Sequence, residues 1–368
     1  MSRRCVMIMA GGTGGHVFPA LALAMMLRES ACEVVWLGTR RGIEARLVPA
    51  ADIPVEWIGI GGLRGKNTRT LLAAPFVLLR ALWQSLAAMW RHRPAVVVGL
   101  GGYVTGPGGI AARLAGRPLV IHEQNAIAGF TNRVLARIAT RVLEGFGGAF
   151  AIGVHAKTVG NPVRREFFEL EAPDARYARR QGPMRLLVVG GSQGAAALNA
   201  LLPQALAQLQ RSGGCPAGFV VRHQCGERHL DAARAAYAAA DVEPSSVTVS
   251  AFIDDIAAAY AWADLVICRA GALTVAEIAA AGVAAIFVPF PAAVDDHQTL
   301  NARHLVERGA ARLLPERGLT AAALAHELST LLVDRAPLVA LAMRARELAQ
   351  PDATRALAEE CLAAGGLA

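Results

Sequence analysis

Two phrases in this chain pair a short apolar run with a cluster of glycines. Met7-Ile8-Met9-Ala10 leads into Gly11-Gly12-Thr13-Gly14-Gly15, and Leu186-Leu187-Val188-Val189 leads into Gly190-Gly191-Ser192-Gln193-Gly194. Each reads as a strand that ends in a tight turn and feeds a helix rich in Ala and Leu. Such a turn aims N–H groups, at the positive end of a helix dipole, toward an anion. The chemistry on offer is the holding of phosphate, although two unrelated tight turns would leave the same trace. A third glycine-rich stretch, Gly101-Gly102-Tyr103-Val104-Thr105-Gly106-Pro107-Gly108-Gly109, follows the apolar Val96–Val98 and gives the first half two anion-friendly turns. In the second half, Arg269-Ala270-Gly271 opens onto Ala272-Leu273-Thr274-Val275-Ala276-Glu277, with an acid that could hold a ribose diol or simply face the helix dipole.

Neither phrase has Gly-x-Gly-x-x-Gly spacing, and the second strands end in Gly38-Thr39-Arg40-Arg41 and Arg222-His223-Gln224, with no acid for a ribose. Arg40 and Arg41 leave a 2′-phosphate, and so an NADP enzyme, open. The lack of Gly-Lys-Ser/Thr excludes a Walker A loop.

The elements that must position these turns are apolar runs at Val34–Leu37, Ala95–Val98, Leu119–Ile121, Leu186–Val189, Gly218–Val221, Val247–Val249, Leu265–Cys268 and Ala284–Val288. Helical stretches separate them, the βαβ rhythm of an α/β protein whose parallel sheets are buried on both faces. Val159-Gly160-Asn161-Pro162-Val163-Arg164 combines glycine with an Asn-Pro turn signal, a charged stretch follows to Pro183, and the hinge between the halves is expected there. Two domains follow, 1–163 and 164–345, with a last helical segment at about 346–368, kinked at Pro351, packing back on the first.

Of the +8 formal charge, residues 1–164 hold 19 Lys/Arg against 7 Asp/Glu, whereas 165–368 hold 18 against 22. The basic half suits an anionic lipid surface or a phosphorylated acceptor; nucleic acid is disfavoured because no basic run interleaves with aromatics. Six cysteines without a C-x-x-C pair fit a reducing cytosol, and the apolar run before the first glycines is too short for a signal peptide. Leu71–Trp90 is nearly all apolar, but Pro75, Arg80, Gln84 and Ser85 interrupt it, so a helix buried on the sheet is expected rather than a span. Phe76, Leu79, Trp83 and Trp90, with arginines nearby, leave a second face suited to dip into an anionic leaflet. His92, His155, His223, His229, His304 and His326 form no ligand-spaced pair, and no Asp-x-Asp occurs, so no metal site and no cofactor is expected.

Taken together, Gly-Gly-Thr-Gly-Gly-His at 11–16, the 101–109 stretch, His122-Glu123-Gln124-Asn125, Gly160-Asn161-Pro162-Val163-Arg164, Gly-Gly-Ser-Gln-Gly-Ala at 190–195 and Ala272–Glu277 resemble the MurG family, in its order and over nearly the whole chain. These are bacterial N-acetylglucosamine (GlcNAc) transferases of peptidoglycan synthesis. The resemblance implies a GT-B fold, two Rossmann-like domains with a cleft, working peripherally at the cytoplasmic face of the inner membrane. It also allows other cell-wall and division proteins as partners. The reaction implied is inverting transfer of GlcNAc from UDP-GlcNAc to the 4-hydroxyl of the muramyl sugar of lipid I, forming lipid II.

Carried over by motif, Ser192 and its loop would bind the donor diphosphate, Arg164 would contact the nucleotide, and Ile253 would meet uracil through its backbone. Ala272–Ala276 would line the donor and Glu277 would take the ribose hydroxyls. Gln298 would hold the sugar, and Thr13, Gly14, Gly15 and Asn125 would close over the donor. Tyr103, Gly102 and Gly106 would meet the acceptor and its pyrophosphate. A single displacement needs one base, and His16 and Glu123 are the candidates. The alternatives are another lipid glycosyltransferase of GT-B type, a UDP-GlcNAc 2-epimerase, or a non-catalytic nucleotide-sugar scaffold.

Overall fold

The computed structural model describes residues 4–61, 68–191, 194–291 and 296–368, with side chains in the 68–73 segment left aside. The chain divides into two compact units, residues 1–164 with 350–368 and residues 165–349.

The first unit runs β1 (Cys5–Met9), α1 (Gly14–Glu29), β2 (Glu33–Gly38), α2 (Glu44–Ala50), β3 (Val55–Trp57), α3 (Thr68–His92), β4 (Val96–Gly99), α4 (Thr105–Leu114), β5 (Leu119–Glu123), α5 (Phe130–Leu135), β6 (Arg141–Glu144) and β7 (Ala156–Thr158). Its seven strands are parallel in the order β3-β2-β1-β4-β5-β6-β7. Alternation along β1 feeds two cores: Val6 and Ile8 pack with α1 on one face, Cys5, Met7 and Met9 with α3 and α4 on the other.

The second unit runs α6 (Pro173–Ala178), β8 (Met184–Val189), α7 (Ala196–Ser212), β9 (Phe219–Gln224), α8 (Leu230–Ala239), β10 (Val247–Ser250), α9 (Ile256–Trp262), β11 (Leu265–Cys268), α10 (Ala272–Ala281), β12 (Ala284–Phe287), α11 (His297–Val306), β13 (Arg312–Leu313), α12 (Ala321–Leu331) and α13 (Ala336–Glu347). Its strand order is β10-β9-β8-β11-β12-β13, again all parallel. In both sheets the order reverses beside the first strand, at β1/β4 and at β8/β11. Open parallel sheets bind ligands outside the carboxyl ends of the strands at such a reversal.

The units divide after Arg164, at the turn signal of the expected hinge, while the charged stretch that follows is fastened to the second unit. Arg176 donates to the carbonyls of Ala281 and Gly282, and Arg180 donates to Ala263 O and pairs with buried Asp264. Arg346 donates to the carbonyls of Phe167 and Phe168, so the chain returns to the first unit at Gln350 rather than near 346. Pro351 lies between α13 and α14 (Ala353–Ala364), separating two helices rather than kinking one. Leu357, Ala358 and Cys361 of α14 complete the α1-side core.

Candidate active site

In the first unit the turns after β1 and β4 lie backbone to backbone. A Cβ on Gly102 (φ +83°) would stand 2.2 Å from Gly11 O, and one on Gly101 (φ +103°) would stand 2.5 Å from His16 Nδ1. Glycine at 101 and 102 is thus what lets the imidazole lie on the second turn while the two backbones touch. The first turn is less open to an anion than its sequence implied. Buried Glu44 accepts from Gly12 N at 3.0 Å, and from Thr39 N and Oγ1. Sequence reasoning missed this acid, which stands at the first position of α2 with only its helix to announce it. Among the described residues, the amides of Thr13, Gly14 and Gly15 and those of Gly101 to Val104 have no protein acceptor. Tyr103 is exposed, and Gly106 sits in the first turn of α4 against Thr131.

His16, in the first turn of α1, places Nδ1 3.3 Å from Gln124 Oε1. Gln124, buried just beyond β5, donates from Nε2 to Leu100 O at 2.9 Å and to His122 Nδ1 at 3.2 Å. His122 Nε2 lies 2.9 Å from Gly160 O. Burial pushes the His122 imidazolium down from its ordinary pKa.

Glu123, the other base candidate, lies beneath the loop after β5. Its carboxylate is buried and accepts from Asn125 N and Nδ2 on one oxygen, and from Gly129 N and Asn132 Nδ2 on the other. Four donors on one acid make it the organiser of the loop after β5. Asn125 is held within that shell. Arg164 lies with its guanidinium 5.6 Å from the Phe18 ring of α1, on the same unit as the first glycine turn.

The second unit gathers the other candidates at the carboxyl ends of its strands. Gln224, at the end of β9, accepts from Gly191 N at 3.1 Å and donates to Gly191 O and Ala251 O. It ties the β8 turn to the segment that carries Ile253; no family motif in the sequence pointed to it. Among the described residues, neither backbone group of Ile253 has a protein partner. The Gly271 N-cap leaves the amides of Ala272, Leu273 and Thr274 at an open helix start, flanked by Val275 and Ala276, with half-buried Glu277 one turn on. Gln298 Oε1 accepts from Ala270 N at 3.3 Å and from Phe290 N at 2.9 Å, which turns its Nε2 away from the sheet. Asn301 donates to Ala270 O. Ser192 lies outside the described residues.

Away from these edges, α3 buries Ala81, Ser85, Ala88 and Met89 and exposes Phe76, Leu79, Trp83 and Trp90 by 61 to 76%. The buried helix and the apolar outer face foreseen in the sequence are therefore two sides of one element. No helix among the described residues is long and apolar enough to cross a membrane.

Two Rossmann-like units with glycine turns at both strand-order reversals have the layout of a GT-B glycosyltransferase. The glycosyltransferase family 28 N-terminal domain matches residues 6–144 and the family 28 C-terminal domain residues 185–359. The chain belongs to this family and, within it, to the MurG transferases. It is 58% identical over 362 residues to the UDP-N-acetylglucosamine–N-acetylmuramyl-(pentapeptide) pyrophosphoryl-undecaprenol N-acetylglucosamine transferase of Alkalilimnicola ehrlichii, covering 97% of this chain and 98% of that one. It is 56% identical to the transferase of the same name from Cupriavidus necator, covering 97% of each. The crystal structure of Acinetobacter baumannii MurG matches with a TM-score of 0.82 at 43% identity, covering 98% of this chain and 99% of that one. A Rickettsia africae glycosyltransferase, 13% identical with a TM-score of 0.69 and 99% coverage of each chain, shares the fold.

Proposed function

We propose that this chain transfers GlcNAc from UDP-GlcNAc to the 4-hydroxyl of the muramyl sugar of lipid I, with inversion, to make lipid II. The observation that carries the reading is full-length kinship, through both domains, with transferases named for that reaction. In the second unit, the β8 turn with Ser192 holds the diphosphate, Ile253 pairs with uracil, Glu277 with the ribose and Gln298 Nε2 with a sugar hydroxyl. Arg164 adds positive charge for the nucleotide, while Thr13, Gly14, Gly15 and Asn125 of the first unit complete donor binding. His16 Nε2 takes the proton of the acceptor hydroxyl as its oxygen bonds to the anomeric carbon, and the bond to UDP breaks with its electron pair on phosphate. Unpaired amides and Arg164 stabilise that charge.

The acceptor pyrophosphate lies on the Gly101–Val104 turn beside Tyr103, because no acid takes those amides whereas Glu44 takes that of Gly12. The α3 face, with Phe76, Leu79, Trp83 and Trp90, docks on the anionic cytoplasmic leaflet of the inner membrane, where the prenyl chain of the acceptor stays. The test is incubation with labelled UDP-GlcNAc and a short-chain lipid I analogue: label enters a disaccharide lipid as UDP appears in equal amount. Donor binding without transfer would move the assignment to another acceptor, and UDP-ManNAc formed without acceptor would make the chain an epimerase. Transfer persists in chelator on this reading; abolition with rescue by one divalent ion would replace it with a metal-assisted mechanism.

A further inference from the structure

We propose that Gln124 and His122 are positioning residues that fix His16 as the Nδ1–H tautomer, leaving Nε2 as the basic nitrogen. The inference rests on the reading of His16 as the base and adds what makes one of its two nitrogens the base. Its argument starts from two backbone carbonyls, which can only accept. Gln124 has one end 2.9 Å from Leu100 O, so that end is its NH2 and the opposite end is the carbonyl oxygen. That oxygen is the atom facing His16 Nδ1 at 3.3 Å, and an amide oxygen can only accept; the hydrogen between them belongs to Nδ1.

The second carbonyl gives the same polarity from the far end. His122 Nε2 stands 2.9 Å from Gly160 O and must donate to it. A wholly buried imidazole that donates there and stays neutral has a bare Nδ1, and this accepts from Gln124 Nε2 at 3.2 Å. The chain therefore has one sense throughout: His16 Nδ1–H to Gln124 Oε1, Gln124 Nε2–H to His122 Nδ1, His122 Nε2–H to Gly160 O. Reversing any member would set hydrogen against hydrogen or leave a buried carbonyl unmet.

The device orients but does not relay. An amide has no proton to pass on, so the proton gained at Nε2 stays on His16 until solvent or product removes it. Nε2 has no protein partner among the described residues, and Gly101 gives the ring its seat. The Gln in His122-Glu123-Gln124-Asn125 thus acquires a purpose distinct from that of the Glu beside it, which organises the following loop.

The test is a tautomer measurement on the whole protein, with the histidines 15N-labelled and the His16 signals assigned by their loss in His16→Ala. Long-range proton–nitrogen correlation should show His16 protonated on Nδ1 and bare on Nε2. In Gln124→Met, which removes the acceptor at similar volume, the Nε2–H form that imidazole prefers in water should gain, with kcat falling about tenfold or more and donor KM changing less than about twofold. Gln124→Glu, which returns an acceptor to Nδ1–H but takes the N–H donor from Leu100 O and His122 Nδ1, should restore the His16 tautomer with only part of kcat. A native His16 protonated on Nε2 would overturn the inference even in a fully active enzyme, as would a slow Gln124→Met variant with its tautomer unchanged. Wild-type kcat in His16→Ala would instead remove the base reading while leaving the tautomer result to stand.

Discussion

Replacing Gly102 with Ala tests whether the contact between the two glycine turns is what places His16. The new Cβ would stand 2.2 Å from Gly11 O and 2.9 Å from Gly11 C, both backbone atoms that no side-chain rotation can clear. Relief to an ordinary contact requires the turns to part by roughly 1 Å, and an alanine at φ +83° adds about 1–2 kcal/mol of left-handed strain. Together these should cost about 2–4 kcal/mol, a fall in Tm of roughly 5–15 °C for a unit of this size. Because the His16 ring rests on the adjoining Gly101, a displacement near 1 Å should lower kcat by about 10²-fold. Gly116→Ala is the matched control: φ is +66° and a Cβ there meets nothing within 4 Å, so it carries the strain without the collision. The assay is calorimetric Tm beside steady-state transfer kinetics for both variants. Gly102→Ala with kcat within about threefold of Gly116→Ala would refute the claim that the packed turns hold the base.

Glu44→Gln sets an NH2 against either Gly12 N or the Thr39 donors, and should lower stability by about 2–4 kcal/mol in denaturant unfolding; an unchanged midpoint would show that the acid is not what pins the first turn. Serine at both Trp83 and Trp90 should weaken binding to anionic vesicles by about two orders of magnitude at roughly 1.5 kcal/mol per ring, with transfer to a water-soluble acceptor unaffected; equal binding would reject the α3 face as the dock. Burial holds His223 down to about 4, between Tyr237 OH and Asn199 Oδ1. Its unfolded pKa lies near 6.5, so the unfolded state takes the proton first: stability is full above about pH 6.5 and falls by about 3 kcal/mol toward pH 4. His223→Gln should flatten that slope in Tm against pH, and an unaltered slope would assign it to other groups.

The glycine turns were legible because a strand ending in glycines has few uses, and each apolar run named in the sequence became a strand. The strands not foreseen are short and interrupted by polar residues: Val55–Trp57, Arg141–Glu144, Ala156–Thr158 and Arg312–Leu313, three of them at a sheet edge and the other next to one, where burial on two faces is not required. What the sequence hid most was buried charge. Glu44, Glu123 and Glu144 are three of the seven acids in residues 1–164, and each lies beneath a loop whose amides it accepts, Glu144 taking Gly148 N and Ala149 N. A charge pattern reads such residues as solvated, because their partners are defined only by the turn they close. With those three acids inside, the exterior of the first unit is more basic than its composition states, in keeping with an anionic surface as its neighbour.

The glycine turns after β1 and β8 are held by different chemistry, and the difference bears on where a diphosphate can rest. Glu44 braces the turn after β1, whereas Gln224 takes Gly191 N in the turn after β8; nearby in the second unit, Asn199 donates to Cys225 O, and Gln298 takes Ala270 N and Phe290 N. A neutral amide satisfies the backbone without setting a negative charge beneath an anion, so of these two turns the one after β8 is the better suited to the proposed donor diphosphate. Gln224→Glu keeps an acceptor for Gly191 N while adding that charge. For a charge about 6 Å from the diphosphate at an effective dielectric constant near 20–40, repulsion of about 1–3 kcal/mol should weaken UDP binding by roughly 10–100-fold. Gln224→Leu removes the same hydrogen bonds without the charge and isolates their share. Titration calorimetry with UDP on both variants decides between them. Binding to Gln224→Glu as tight as to Gln224→Leu would mean that the diphosphate does not sit over the β8 turn, and the amides at the start of α10 would be the next place to seek it.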